Sequence, residues 1–193
     1  MVPDDLAVVI LAGGNATRFP GKLESDVGGT PLLLRVYRNV APIATVYVSA
    51  RAGFSPAIDA QLACAIVIDR LPGRGPLGGL VSTFGEIAAR RVFVVAGDAP
   101  FVDTGVYEEL ARHWDDRCEA VVPVRERDGR LRLEPLCAIY DRIAFLREGY
   151  AVLTHGSAAV AEVVDRLRAR RVRLASQHAF TNVNTSADGA VLA

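Results

Sequence analysis

Five runs of aliphatic and β-branched residues punctuate the chain: AVVIL (7–11), TVYVSA (45–50), AIVID (65–69), RVFVVAG (91–97) and EAVVPV (119–124). AVVIL holds no polar position, as expected of a strand buried on both faces, and the other runs resemble it. Between them the apolar positions shift to helical spacing. Thr30-Pro31 reads as an N-cap with proline at the first helical position, opening LLLRVYRNV (32–40). SPAIDAQLA (55–63) gives a weaker helix. In LGGLVSTFGEIAAR (77–90), Leu80, Val81, Phe84 and Ile87 fall on one side, and DTGVYEELARHW (103–114) starts at a cap-like Asp103 or Thr104. Beyond these, RERDGR (125–130) reads as a charged hairpin tip and RLEPLCAIY (132–140) as a strand antiparallel to its neighbour. AAVAEVVDRLRAR (158–170) is an amphipathic helix and RVRLA (171–175) a last strand. Strands alternating with helices predict an α/β fold: a single-domain, Rossmann-like three-layer α/β/α arrangement over 1–193. Its sheet is expected to be mostly parallel with one antiparallel strand, and such sheets bind ligands beyond the carboxyl ends of their strands.

Composition narrows the function classes. The 22 basic and 22 acidic residues cancel, which argues against a broad nucleic-acid or membrane-surface role. Cys64, Cys118 and Cys137 are odd in number and widely spaced, so a disulfide framework is not expected. His113, His155 and His178 carry no zinc spacing. The N-terminus has acids where a signal peptide needs bases, and no stretch is long enough for a bilayer. A cytoplasmic protein that binds neither nucleic acid nor membrane is expected, as a monomer or weak homo-oligomer.

The candidate chemistry sits at the strand ends. The first strand runs into Gly13-Gly14 and then NATRFPGK, a loop bare of side chains that turns positive at Arg18 and Lys22. Glycines let a backbone approach a ligand and present N–H groups to a phosphate; the alternative is a tight turn. A Walker A loop fails, because its first glycine falls on Ala16 and its Ser/Thr on Leu23, and GxGxxG fails at Asn15. The third strand closes at Asp69, followed by Gly73, Gly75, Gly78 and Gly79 among two prolines. That segment could bring backbone against a flat ring, or be a convoluted crossover. The fourth ends GDAP, putting Asp98 where a carboxylate could hold Mg²⁺ with phosphate oxygens. NVNTSAD (182–188) offers Asn182 and Asn184, or a polar turn.

Together these segments resemble the nucleotidyltransferases, most closely the molybdenum cofactor guanylyltransferases. LAGGNATRFPGK matches the family's opening LAGG-x3-R…K loop, GPLGGL its GPL-x-G segment, GDAP its [CG]D-x-P and NVNT its N-x-N-T, in family order across 8–188. The resemblance implies the nucleotide-diphospho-sugar transferase fold. It implies nucleotide binding by Leu11, Ala12, Gly13, Gly14, Lys22, Ser49, Asp69, Gly78 and Asp98. It implies catalytic roles for Arg18, Lys22 and Asp98, with Asp98 on Mg²⁺. Asn182 and Asn184 would face the reacting phosphates or the acceptor. Four departures stand out: a shorter opening loop with Gly21 before the lysine, Ser49 in VSAR in place of an amide, Ser186-Ala187 after NVNT, and an end five residues after Asp188 that leaves a last helix short or missing. These departures bear on nucleobase and acceptor and leave nucleotidyl transfer intact.

The activity implied is Mg²⁺-dependent transfer of GMP from GTP to the phosphate of a molybdopterin-type acceptor, with release of pyrophosphate. Alternatives with the same chemistry are CTP with molybdopterin, or GTP with cobinamide phosphate or phospholactate. A nucleotide-binding regulatory domain without turnover is the alternative from another class. Arg125, Arg127, Arg130 and Arg132 could approach an anionic acceptor or simply solvate a hairpin.

Overall fold

The six residues of β1, Leu6–Leu11, are all buried, because strands from distant segments flank both edges and helices cover both faces. The computed structural model describes residues 5–13, 21–26, 28–175 and 177–181. In chain order its elements are β1, α1 (Leu32–Val40), β2 (Thr45–Ala50), α2 (Pro56–Asp59), β3 (Ala65–Ile68), α3 (Gly75–Phe84), β4 (Arg91–Ala96), α4 (Thr104–Ala111), β5 (Ala120–Arg127), β6 (Arg130–Leu133), β7 (Cys137–Asp141), α5 (Arg142–Thr154), α6 (Val160–Arg166) and β8 (Ala169–Val172). Short 3-10 turns cover Lys22–Glu24 and Gln177–Phe180.

The strand order is β3-β2-β1-β4-β7-β5-β6, with β8 also on β5. β1 pairs in parallel with β2 (Ala7 opposite Thr45) and with β4 (Ala7 opposite Val92). β7 lies antiparallel between β4 and β5, so β5 runs in the direction of β1 and β4. The expected antiparallel strand is therefore β7, and β6 is a second one, hairpinned onto β5.

Side-chain alternation along the strands divides the core. Val8, Ile10, Phe93, Val95 and Val121 point to the face covered by α1 and α4. Ala7, Val9, Leu11, Val92, Val94 and Val122 point to the face covered by α3, α5 and α6. On that second face Phe84, Phe145 and Tyr140 lock α3, α5 and β7 together, with ring centroids 4.6 and 4.8 Å apart. The Tyr140 hydroxyl donates to the Pro135 carbonyl at 2.7 Å, which satisfies it inside the core.

Several boundaries differ from the sequence reading. Thr30 does not cap α1: Pro31 occupies the N-cap position, and Leu32 N donates to Ser25 O instead. α3 starts at Gly75, so much of the glycine-rich segment is helix, and it ends at Phe84 rather than near 90. RLEPLCAIY splits into β6 and β7, because Cys137 N turns back to Glu134 O. α6 stops at Arg166, since Ala169–Val172 pair with β5 as β8. α5 was not anticipated. Among the described residues no helix is long and apolar enough to cross a membrane, and the three cysteines are free thiols.

Candidate active site

The connection leaving β1 passes to α1 on one face, whereas α3, which leads into β4, lies on the other. A crevice therefore opens at the carboxyl ends of β1 and β4, the point where the winding reverses. Backbone hydrogen bonds fix its floor: Ala12 N donates to Ser49 O at 2.7 Å, Gly97 N to Leu11 O at 3.0 Å, and Asp69 N to Ala50 O at 2.8 Å. Gly97 packs tightly here, because a Cβ would sit 3.1 Å from the Leu11 carbonyl oxygen. These contacts bring Leu11, Ala12, Gly13, Ser49, Asp69 and Asp98 to one rim.

Lys22 Nζ donates to Asp98 Oδ2 at 2.8 Å, 76 positions apart in sequence. The pair is only partly exposed, at 16% and 27% of the side chains. Lys22 opens the 3-10 turn that follows Gly21, whose φ of 80° suits glycine. Asp98 is not a helix cap: α4 is capped by Asp103, whose Oδ1 accepts from Val106 N at 3.1 Å. No hydrogen bond from the described residues reaches Asp98 Oδ1. One partly exposed carboxylate at the carboxyl end of β4 fits Mg²⁺, which takes few protein ligands and keeps waters and phosphate oxygens. Among the described residues no cluster of three metal-ligating side chains exists.

Asp69 is half-buried, and its Oδ1 accepts from Leu71 N at 2.8 Å and from Ser82 Oγ at 3.2 Å. Ser82 Oγ also accepts from Arg70 N at 3.0 Å. Ser82, on α3, thus holds the turn that presents Asp69. The sequence reading missed it; its signal was the adjacent hydroxyls Ser82 and Thr83 inside the otherwise apolar helical run LVSTF. Ser49 is fully buried with its Oγ unpartnered, under α3. A Cβ on Gly79 would meet Ser49 Oγ at 2.9 Å and Leu11 Cδ1 at 3.2 Å, and one on Gly78 would meet Leu71 O at 2.7 Å. These two glycines let α3 dock on the strand ends. Arg51, also missed, lies directly after β2 with its Cγ 3.6 Å from where a Gly13 Cβ would be, adding a cation to the rim. Gly14, Arg18, Asn182 and Asn184 lie outside the described residues.

Residues 8–171 match the MobA-like NTP transferase domain family. A probable molybdenum cofactor guanylyltransferase of Mycobacterium tuberculosis is 30% identical, the match covering 97% of this chain and 94% of the relative. One from Natronomonas pharaonis is 33% identical, covering 68% of this chain and 66% of the relative. In structure, molybdopterin-guanine dinucleotide biosynthesis protein A from Archaeoglobus fulgidus superposes with a TM-score of 0.78 at 22% identity, covering 96% and 95% of the two chains. The 2-C-methyl-D-erythritol 4-phosphate cytidylyltransferase of Thermus thermophilus gives 0.70 at 17%, covering 95% of each. These two likenesses concern the fold.

Proposed function

This chain belongs to the MobA-like NTP transferase family and is a nucleotidyltransferase, and on that premise we propose that it transfers GMP from GTP to the phosphate of molybdopterin in molybdenum cofactor biosynthesis. The observation that carries the reading is the Lys22–Asp98 pair at the carboxyl ends of β1 and β4. It gathers a cation and a carboxylate where a triphosphate can enter. The names of the relatives supply the guanine nucleotide and the molybdenum cofactor.

The reaction needs little from the protein beyond placement. An acceptor phosphate is ionised at neutral pH, so its oxygen attacks the α-phosphorus without a general base. A new P–O bond forms there as the bond to the β-phosphate oxygen breaks, and pyrophosphate leaves with the electron pair. Catalysis then consists of alignment and neutralisation of charge. Lys22, with Arg18 from the same loop, offsets charge growing on pyrophosphate. Backbone amides after β1 cradle phosphate oxygens, and Asp69, held by Ser82, accepts from the nucleoside. Asp98 is the residue that would hold Mg²⁺; the ion supplies positive charge at the phosphate oxygens when bound. Asn182 and Asn184 are assigned to the acceptor side.

The test is a pyrophosphate-release screen of GTP, CTP, ATP and UTP against molybdopterin, cobinamide phosphate and phospholactate. Turnover restricted to GTP with molybdopterin is expected. Equal turnover with CTP, or turnover only with another acceptor, would overturn the proposal.

A further inference from the structure

The β5–β6 hairpin carries an arrangement that sheet energetics alone disfavours. Arg125 stands directly opposite Arg132, and Arg127 opposite Arg130. Facing residues share a side of the sheet, as do residues two apart on one strand. All four guanidinium groups therefore belong to one face of a two-stranded ribbon. Like charges directly opposite each other destabilise a ladder. The reverse face is different: there Glu126 pairs with Arg173, the residue after β8, at 3.4 Å, beside Leu131.

Internal countercharge on the arginine face is incomplete. Arg125 is ion-paired with Glu134, and Arg127 is 3.9 Å from Asp128 at the exposed tip. Arg130 and Arg132 have no ion pair among the described residues.

The position of this face is as informative as its charge. β5 runs parallel to β4 through the intervening β7, so the hairpin projects from the same rim that carries Asp98. Its base is tied to that rim, because Ala96 N, two residues before Asp98, donates to Leu136 O at 2.8 Å. Two strand spacings separate β5 from β4, about 10 Å. Alternation puts Arg125 and Arg127 on the face of Val121, which is the face of α1 and of Leu23, the neighbour of Lys22. Arg125 Nη1 also donates to Phe180 O at 3.3 Å, holding the segment that leads into Asn182.

We infer that the arginine face of the β5–β6 hairpin binds the phosphate of the acceptor, with Arg130 and Arg132 as its principal contacts and Arg125 positioning the segment before Asn182. The ligand class is a small acceptor bearing a dianionic phosphate monoester, for which guanidinium forks offer bidentate pairing. This rests on the reading of the chain as a transferase to a phosphorylated acceptor. The nucleotide, held at β1 and β4, does not need the hairpin.

Two measurements test it. Steady-state pyrophosphate release is compared for wild type, Arg130→Ala, Arg132→Ala, and the two lysine replacements. Acceptor KM rises about tenfold for each guanidinium removed, nucleotide KM holds, and lysine restores part of the loss. Separately, inorganic phosphate is titrated into the wild-type protein loaded with an α,β-methylene analogue of GTP, following arginine Nε–Hε resonances. Those of Arg130 and Arg132 shift saturably. Acceptor KM unchanged in both alanine variants, with GTP and molybdopterin turned over normally, overturns the hairpin inference and leaves the proposed function intact. Saturable shifts at Arg130 and Arg132 in a protein that does not turn over GTP with molybdopterin overturn the proposed function and keep the anion site. Absence of any shift at phosphate concentrations far above those that perturb other sites also overturns the inference.

Discussion

Lys22 and Asp98 close the crevice from opposite sides, the lysine from the turn after β1 and the aspartate from the end of β4, with 2.8 Å between Nζ and Oδ2. The lysine therefore meets its carboxylate within the protein, and under the proposed function a bound triphosphate would compete for it. Replacing Lys22 by alanine is expected to lower turnover by about a hundredfold, the scale of losing one charge-stabilising donor. Stability should change by no more than about 1 kcal/mol, because a partly exposed pair contributes little. Initial rates at saturating and limiting nucleotide, beside urea unfolding, provide the check. Unchanged turnover at both concentrations removes Lys22 from the site.

Asp98→Asn keeps the shape and removes the charge. Mg²⁺-dependent turnover should fall by orders of magnitude, with folding nearly unchanged. Nucleotide affinity without Mg²⁺ should hold or strengthen, since a negative charge beside the phosphates has gone. Calorimetry with and without Mg²⁺ distinguishes these effects. Near-normal Mg²⁺-dependent turnover would place the metal elsewhere.

Gly79 and Ser49 form a test of packing at the rim. Gly79→Ala drives a methyl group to 2.9 Å from Ser49 Oγ and 3.2 Å from Leu11 Cδ1, and overpacking of this kind costs about 1–3 kcal/mol. Ser49→Ala removes an unpartnered buried hydroxyl, so alone it is expected to be neutral or stabilising by about 1 kcal/mol. Combined, the second change should relieve part of the first. A double-mutant cycle by urea denaturation reads the coupling, and strict additivity would contradict it.

Glu119 gives a pH dependence. Burial pushes its carboxyl upward, but the backbone N–H of Arg168 and the guanidinium groups of Arg147 and Arg168 outweigh that, leaving it lowered. A lowered folded value means the stabilisation is present above the usual carboxylate range and lost as pH falls through the folded value. Glu119→Gln should therefore cost about 1–3 kcal/mol at pH 7. The difference from wild type should shrink below about pH 4. Thermal unfolding of both proteins from pH 7 to pH 3 tests the sign, and a gap that widens in acid would refute it.

The sequence disclosed the strands that need no context. TVYVSA is β2 residue for residue, and AVVIL and RVFVVAG lie within a residue of β1 and β4, because uninterrupted β-branched runs have few other uses. α5 stayed hidden for a physical reason. Gly149 interrupts its helical signal, yet a Cβ there would lie 2.9 Å from Val81 Cγ2, so the glycine exists for the approach of α5 to α3. That pressure belongs to tertiary structure and leaves only a weakening mark in the sequence. The site was legible in the same uneven way. As candidates, Asp69 and Asp98 could be read at strand ends and Lys22 in the loop after β1, but the ion pair, the Ser82 brace on Asp69 and the burial of Ser49 arise from contacts between distant segments. The arginine face was half visible: the charges were evident, and the register that aligns them was not.

The strand order also sets a timetable. β1 obtains its first neighbour from residues 45–50 and its second only from residues 91–96. A nascent chain released to residue 90 holds the whole opening loop and Lys22, yet the far wall of the crevice does not exist until β4 docks. Such long-range pairing closes large loops and folds slowly. Assembly of the candidate site is therefore a late event of synthesis, and the first half of the chain leaves the ribosome with its central strand open along one edge.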